Sequence, residues 1–304
     1  MSVPDYGHLP VLKDAVLSLT APATAKLIVD CTTGLGGHSS ALLSAAPGAR
    51  LIGLDVDRGN LATAGERLRE FADRIELVQA NFAELPAVLE ARGGLRADVV
   101  VADLGVSSNQ IADPSRGLSF TVDAPLDMRL DDRLKTTAAD LVNTMSEGEL
   151  SDLLYFQSQE RHSRRISKRI CQARRQARIN STVYLARLVA AAVGENPDAH
   201  GGRIHPATRT FMALRMAVNR ETESLAALLA ALPACLAPGG RAAIISFHSV
   251  EDRLVKEDFK ARAKAGDYRL ITRKPVVAEE SEREINPRSR SAKLRVAELV
   301  NSTL

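Results

Sequence analysis

Four short runs of mostly apolar residues open the chain, at 27–31 (LIVDC), 51–55 (LIGLD), 75–79 (IELVQ) and 98–104 (DVVVADL). Between them, at 39–46, 59–72 and 84–92, apolar positions recur at helical spacing. Runs that are apolar on nearly every position are strands covered on both faces, and helical crossovers make such strands parallel. The first hundred residues therefore predict a doubly wound α/β sheet. After Leu104 the β pattern is lost for over a hundred residues, replaced by amphipathic helical patterns around 146–156, 160–178, 181–193 and 206–220. The sheet pattern resumes after a turn at Pro238-Gly239-Gly240, with a strand at 241–247, a helix over 250–265, and strands at 268–274 and 292–300. The sum is a seven-stranded sheet domain formed by 1–111 and 206–304, interrupted by a helical insertion at 112–205.

Composition narrows the function. The chain has 304 residues, 45% apolar and 25% charged, the profile of a folded protein. Lys plus Arg number 40 against 37 acids, a formal charge of +3, which excludes a uniformly basic surface but not a local basic face. Seven Phe, four Tyr and no Trp argue against a broad stacking platform for single-stranded bases, so any RNA contact leans on Arg and Lys. Cys31, Cys171 and Cys235 are isolated, with no CxxC and no Cys/His cluster, so neither a disulfide framework nor a zinc site is supported, and no metal-ligating residue is assigned. The N-terminus MSVPDYGHLP lacks a signal layout, and the longest uncharged apolar stretch, 225–237, is too short to span a bilayer and contains Pro233. These features predict a cytoplasmic protein without a membrane anchor.

Candidate chemistry gathers at the strand ends. The first strand runs through Asp30 into Cys31-Thr32-Thr33-Gly34-Leu35-Gly36-Gly37-His38-Ser39. Glycines there permit a tight turn and close approach of backbone N–H groups to a ligand. The spacing G-x-G-G lacks the last glycine of a dinucleotide fingerprint, and no Gly-Lys-Ser/Thr follows, so neither an NAD site nor a phosphate loop is supported. Asp55 ends the second strand, 21 residues after Gly34, where a carboxylate accepts hydrogen bonds from ribose hydroxyls. Asp30 would repel a pyrophosphate and suits a cationic ligand. S-adenosylmethionine, a nucleoside carrying a sulfonium and an amino acid, meets both demands. Phe82 after the third strand is placed to cover an adenine, and Asp103 ends the fourth. Plain structural roles compete at each position: a turn for the glycines, core filling for Phe82, a helix N-cap for Asp103. The ordered set across successive strand ends favours the ligand.

The segment 161–178 carries eight cations and no acid: Arg161, Arg164, Arg165, Lys168, Arg169, Arg174, Arg175 and Arg178. Ile166, Ile170, Ala173 and Ala177 recur at helical spacing, so one face packs while the rest presents guanidinium groups suited to phosphate. A second basic concentration spans 286–295.

With these motifs the chain closely resembles the RsmH (MraW) family of S-adenosylmethionine-dependent methyltransferases. They act on N4 of a cytidine in the decoding region of bacterial 16S ribosomal RNA. The resemblance runs through His8-Leu9-Pro10-Val11-Leu12, the glycine loop, Asp103-Leu104-Gly105-Val106-Ser107-Ser108 and Pro125-Leu126-Asp127-Met128-Arg129. It continues in His205-Pro206-Ala207-Thr208-Arg209-Thr210-Phe211, Ile245-Ser246-Phe247-His248-Ser249-Val250-Glu251-Asp252-Arg253 and Asn286-Pro287-Arg288-Ser289-Arg290-Ser291. It implies a class I (Rossmann-like) methyltransferase sheet with an inserted substrate-recognition domain, and the small ribosomal subunit as partner. It also implies cofactor contacts at Gly36, Gly37, His38, Asp55, Phe82, Asp103 and Gln110, of which His38 and Gln110 have no support from spacing or chemistry alone. Departures are small: Ser158-Gln159-Glu160 stands where the family often has a Gly-Glu-Glu run, and Val250 where Leu is usual.

For methyl transfer to an amine, Asp103 is the first candidate to orient amine or cofactor. Asp127, Arg129, His205, Arg209, Ser246 and His248 are candidates for the base pocket or phosphate contacts. Arg164, Arg165, Lys168 and Arg169 are the candidates for RNA binding. No residue stands out as general base. Two rivals remain at this level, a nicotinamide-dependent oxidoreductase and a non-catalytic ribosome-assembly factor. A homodimer is compatible with the sequence, which carries no interface signature.

Overall fold

The computed structural model describes residues 9–196 and 205–300. The chain forms two compact units, Met1–Gly105 with Glu223–Leu304, and Val106–Thr222. The first half of the sheet unit contains α1 (Lys13–Thr20), β1 (Leu27–Asp30), α2 (Gly37–Ala45), β2 (Arg50–Asp55), α3 (Arg58–Arg67), β3 (Ile75–Gln79), α4 (Leu85–Glu90) and β4 (Ala97–Asp103). The second unit follows with α5 (Ser108–Ala112), α6 (Ala138–Thr144), α7 (Glu147–Ser158), α8 (Ser163–Arg174), α9 (Thr182–Val193) and α10 (Ala207–Val218). The chain returns through α11 (Glu221–Cys235) to β5 (Leu236–Ser246), α12 (Ser249–Ala265), β6 (Tyr268–Leu270), α13 (Glu280–Ile285) and β7 (Lys293–Leu299).

The sheet has seven strands in the order β3-β2-β1-β4-β5-β7-β6. β1 to β5 pair in parallel, and β7 runs antiparallel to both β5 and β6. Alternation along β4 shows why its residues are apolar throughout. Val99 and Val101 enter one core with Ile28, Leu43 and Ile245, whereas Val100 and Ala102 enter the other with Val29, Leu54 and Ile244. Each Val, Leu or Ile so buried contributes roughly 1.5–3 kcal/mol.

Several expectations are corrected. The helix at 206–220, assigned to the sheet domain, is α10 and belongs to the second unit, as do residues 106–111. Pro238-Gly239-Gly240 does not precede β5 but lies inside it, at a register shift opposite Ala97 and Val99. Gly239 has φ +76°, and a Cβ on Gly240 would stand 2.7 Å from the Ala97 carbonyl oxygen, so the bulge requires glycine. β6 ends at Leu270 because the N–H groups of Ile271 and Thr272 both donate to the Val296 carbonyl, which takes the chain out of the ladder.

In the second unit, Ile166, Ile170 and Ala173 of α8 are buried with Leu150 and Leu154 of α7 and Leu185 and Val189 of α9. α8 is shorter than the expected 160–178, since Ala177 is exposed and the buried face ends at Ala173. α7 begins in a capping box, with Glu149 N–H donating to Ser146 Oγ and Ser146 N–H to the Glu149 carboxylate. Gly117 has φ +62°, and a Cβ there would fall 2.1 Å from the Pro125 carbonyl oxygen, so no side chain can replace it. Among the described residues no helix is long and apolar enough to cross a membrane.

Candidate active site

The strand order reverses between β1 and β4, whose carboxyl ends lie side by side, and ligands of open α/β sheets bind at such a point. Backbone hydrogen bonds shape the loop after β1. Cys31 N–H donates to the Val101 carbonyl (2.8 Å), Thr33 N–H to that of Leu54 (2.8 Å) and Gly36 N–H to that of Thr33 (2.8 Å). Gly34 N–H donates to Asp55 Oδ2 at 2.8 Å, tying the loop to the end of β2. Gly36 takes φ +78°, and a Cβ on Gly37 would stand 3.0 Å from Pro10 Cγ, so the protein's own packing also favours a glycine at 37.

Four titratable groups of the sheet unit stand at these strand ends. Asp30 is buried, with Oδ2 accepting from the Ser39 hydroxyl (2.6 Å) and Oδ1 from Thr32 N–H (3.2 Å). Burial pushes its carboxyl above the ordinary range, against the pull of Ser39 and His38. His38 is 7% exposed, and its Nε2 lies 3.5 Å from Asp103 Oδ2. Burial pulls the imidazole down, but Asp103, Asp30 and Glu282 more than offset it and hold its proton above the usual histidine range. Asp55 accepts from Gly34 N–H, from Asp57 N–H (2.8 Å) and from Asn60 Nδ2 (3.3 Å). Burial pushes its carboxyl up to about 6.

The fit to S-adenosylmethionine can be tested on this geometry. Among the described residues, buried Asp103 Oδ1 has no hydrogen-bond partner and His38 Nε2 has only the long 3.5 Å contact to Asp103 Oδ2, and an unmade buried hydrogen bond costs about 1–3 kcal/mol. A polar ligand group satisfies them. Acids at Asp30, Asp55 and Asp103, around a glycine loop that contains no Lys or Arg, suit a cationic nucleoside and oppose a pyrophosphate. A carboxylate offers about four lone-pair sites. Asp55 uses three, so one remains for a ribose hydroxyl, and the long Asn60 bond is the one a second hydroxyl would displace. Phe82 is half-buried against the core after β3, so it fills the core and keeps an exposed part.

Residues not singled out in the sequence complete the cluster. Thr32 Oγ1 accepts Asp103 N–H at 2.6 Å, fixing the end of β4 against the glycine loop. Leu12 N–H donates to Glu282 Oε1 (2.7 Å) and Asn286 Nδ2 to the Leu9 carbonyl (3.0 Å), seaming the Pro10 segment to α13. Only contacts between segments distant in sequence reveal these pairings. Of the second basic concentration, Arg295 Nε and Lys293 Nζ are held by Asp252 at 2.7 and 3.2 Å, whereas Arg288 is half-buried under the influence of the Asp103 charge.

Other candidates are committed internally. Ser246 is buried and donates to the Lys293 carbonyl (3.4 Å). His248 caps α12, its Nδ1 accepting Glu251 N–H (3.4 Å) and its Nε2 lying 3.1 Å from Glu251 Oε1. In the second unit, Gln110 is buried, with Oε1 accepting Ser107 N–H at 3.0 Å. Asp127 and Arg129 form a bidentate ion pair at 2.8 and 2.7 Å, which holds the Asp127 carboxyl below its ordinary range despite burial. His205 caps the start of α10 through Nδ1 and Ala207 N–H (2.9 Å), its ring against Phe120. Arg209, Arg164, Arg165, Lys168 and Arg169 are exposed. Arg174 and Arg178 are spent within the unit, on the Val142 and Met145 carbonyls and on Asp140 respectively.

A seven-stranded sheet of this order, with one antiparallel strand and an acid ending β2, defines a class I S-adenosylmethionine-dependent methyltransferase. Residues 5–300 match the sequence model of the MraW methylase family, and the chain belongs to that family. It is similar over nearly its whole length to proteins named ribosomal RNA small subunit methyltransferase H. The one from Synechococcus sp. (strain CC9605) is 48% identical over 306 residues, covering 97% of this chain and 98% of that protein. Those from Syntrophobacter fumaroxidans and Sorangium cellulosum are each 46% identical, covering 97% and 96% of this chain and 97% and 91% of theirs.

Proposed function

We propose that the chain transfers a methyl group from S-adenosylmethionine to N4 of a cytidine in the decoding region of 16S ribosomal RNA. The observation that carries this reading is the buried Asp103 Oδ1, without a hydrogen-bond partner among the described residues and set beside His38 and a glycine loop, in a chain that matches small-subunit RNA methyltransferases over nearly its whole length. Bound S-adenosylmethionine supplies an electrophilic sulfonium methyl. The glycine loop at Gly36 and Gly37 admits the cofactor, Asp30 gives it an anionic floor, Asp55 takes a ribose hydroxyl and Phe82 covers the adenine. The cytosine amine is a weak nucleophile because its lone pair is delocalised into the ring. Asp103 accepts a hydrogen bond from the amine, which localises that pair and aims it at the methyl carbon. Ribosomal subunits place the reaction in the cytoplasm.

The test is incubation with isotopically labelled S-adenosylmethionine and small subunits lacking the modification, followed by mass spectrometry of the RNA. Label on N4 of one cytidine is expected. A cofactor-loaded protein that leaves cytosine N4 unlabelled favours the assembly factor, and binding of NAD in place of S-adenosylmethionine favours the oxidoreductase.

Exposed cations of α8 supply the electrostatic part of RNA binding. Neutral residues at Arg164, Arg165, Lys168 and Arg169 are expected to weaken RNA binding and flatten its salt dependence. The logarithmic slope falls by about 0.7–0.9 for each phosphate that is no longer neutralised, with cofactor affinity unchanged. An unaltered slope in a filter-binding titration returns α8 to an ordinary solvated surface.

A further inference from the structure

Three aromatic rings are exposed among the described residues, and all belong to the second unit: Phe156 at 67%, Tyr155 at 53% and Tyr184 at 38%. Tyr155 and Phe156 are neighbours near the end of α7, with ring centroids 5.4 Å apart and planes at 78°. Edge-to-face contact braces the two rings without covering both faces of either. Single exposed apolar residues need no explanation, but an adjacent pair in a chain with so few aromatics does.

The surroundings identify the occupant. α7 passes into α8 through a short connection that begins at Gln159, with φ +55°. Ser151 and Ser163 hydroxyls meet at 3.2 Å across the two helices, one turn before the rings. The acids of α7, at Glu147, Glu149 and Asp152, lie in its first two turns, whereas beyond the rings the chain passes through Gln157 to Gln159 and the buried Glu160 to exposed Arg161, Arg164 and Arg165. Exposed rings at the end of one helix with exposed guanidinium groups at the start of the next form the combination that binds single-stranded nucleic acid, a ring stacking a base and the cations holding phosphates along the strand. An acidic or purely apolar protein surface would use only half of it.

We infer that Tyr155 and Phe156 form a stacking site for an unpaired base of the RNA substrate, whose backbone is held by Arg161, Arg164 and Arg165. This rests on the RNA-methyltransferase reading and deepens it. The scarcity of aromatics excludes a broad platform, yet one stacked base needs only this pair.

The experiment uses the full chain with S-adenosylmethionine, small subunits, and an RNA oligonucleotide of the decoding region. Tyr155→Ala/Phe156→Ala is compared with Tyr155→Leu/Phe156→Leu and with the aromatic exchange Tyr155→Phe/Phe156→Tyr. Removing the stacking of one base weakens RNA affinity by about ten- to a hundredfold. The alanine and leucine pairs are both expected to bind that much more weakly, with the salt slope, kcat and cofactor affinity of the unaltered chain, and the aromatic exchange to restore binding. Wild-type affinity in the alanine pair, alongside normal methylation by the unaltered chain, overturns the stacking site alone. Full binding by the leucine pair overturns it too and assigns the patch to an apolar protein surface. An unaltered chain that neither binds nor methylates the RNA overturns both readings.

Discussion

Alanine at Asp103 is expected to lower methyl transfer by about two to four orders of magnitude, the range for removing a group that handles a proton of the reacting amine. The backbone does not depend on this side chain. Asp103 N–H is held by Thr32 Oγ1, and Leu104 N–H donates to the Ile245 carbonyl at 2.9 Å, so β4 keeps its end when the carboxylate is removed. What disappears is a buried acceptor with a free oxygen and the anion nearest His38. Burial alone depresses the imidazole, so without Asp103 its pKa falls, and NMR titration of His38 reports that independently of turnover. Asparagine keeps the shape and one acceptor but not the charge, and its rate should lie between the two. The check is the single-turnover rate at saturating cofactor and small subunits. A wild-type rate in the alanine variant reduces the β4 motif to a device for backbone shape.

Sheet and site were legible to different degrees. Strands such as 98–104 announced themselves because helices cover both faces and leave the interior apolar, while the acids at their ends had no core to fill. α1, α6 and α13 escaped notice because each is short and its apolar spacing too brief to register. The α10 pattern revealed an amphipathic helix but not which core it enters, and Phe211 and Leu214 turn out to pack in the second unit. Side-chain partnership was the least legible property. Asp127 and Arg129 read as two candidates for substrate, yet two residues apart they satisfy one another. Arg174 and Arg178 counted toward the basic run, though carbonyls and Asp140 neutralise their availability. The Thr32 to Asp103 bond joins residues 71 apart, and no spacing rule encodes it.

Asp55→Ala should weaken S-adenosylmethionine binding by about two orders of magnitude, since a hydrogen bond to a charged group contributes about 1.5–3 kcal/mol and the glycine loop loses its tie at Gly34 as well. Asparagine separates these effects, because one acceptor oxygen remains to hold the loop. The pH dependence is more diagnostic. Burial raises the Asp55 carboxyl to about 6 from 3.8, so the cofactor-free fold takes up a proton across that window. A raised carboxyl contributes stability that is complete below the unfolded value and lost as pH rises through the folded one, at about 1.4 kcal/mol per pH unit. Ribose hydroxyls donate to the ionised form, so cofactor binding lowers this pKa. Affinity therefore rises with pH up to about 6, by at most about tenfold per unit, and then levels off. Opposite trends in one window, falling stability of the free chain and tightening cofactor affinity, are thus expected from a single group. Asp30 also titrates upward through burial, so the measured quantity is the difference between the unaltered chain and Asp55→Asn, by calorimetry from about pH 5 to about pH 7. Identical pH profiles for the two would show that Asp55 holds the loop and not the ribose.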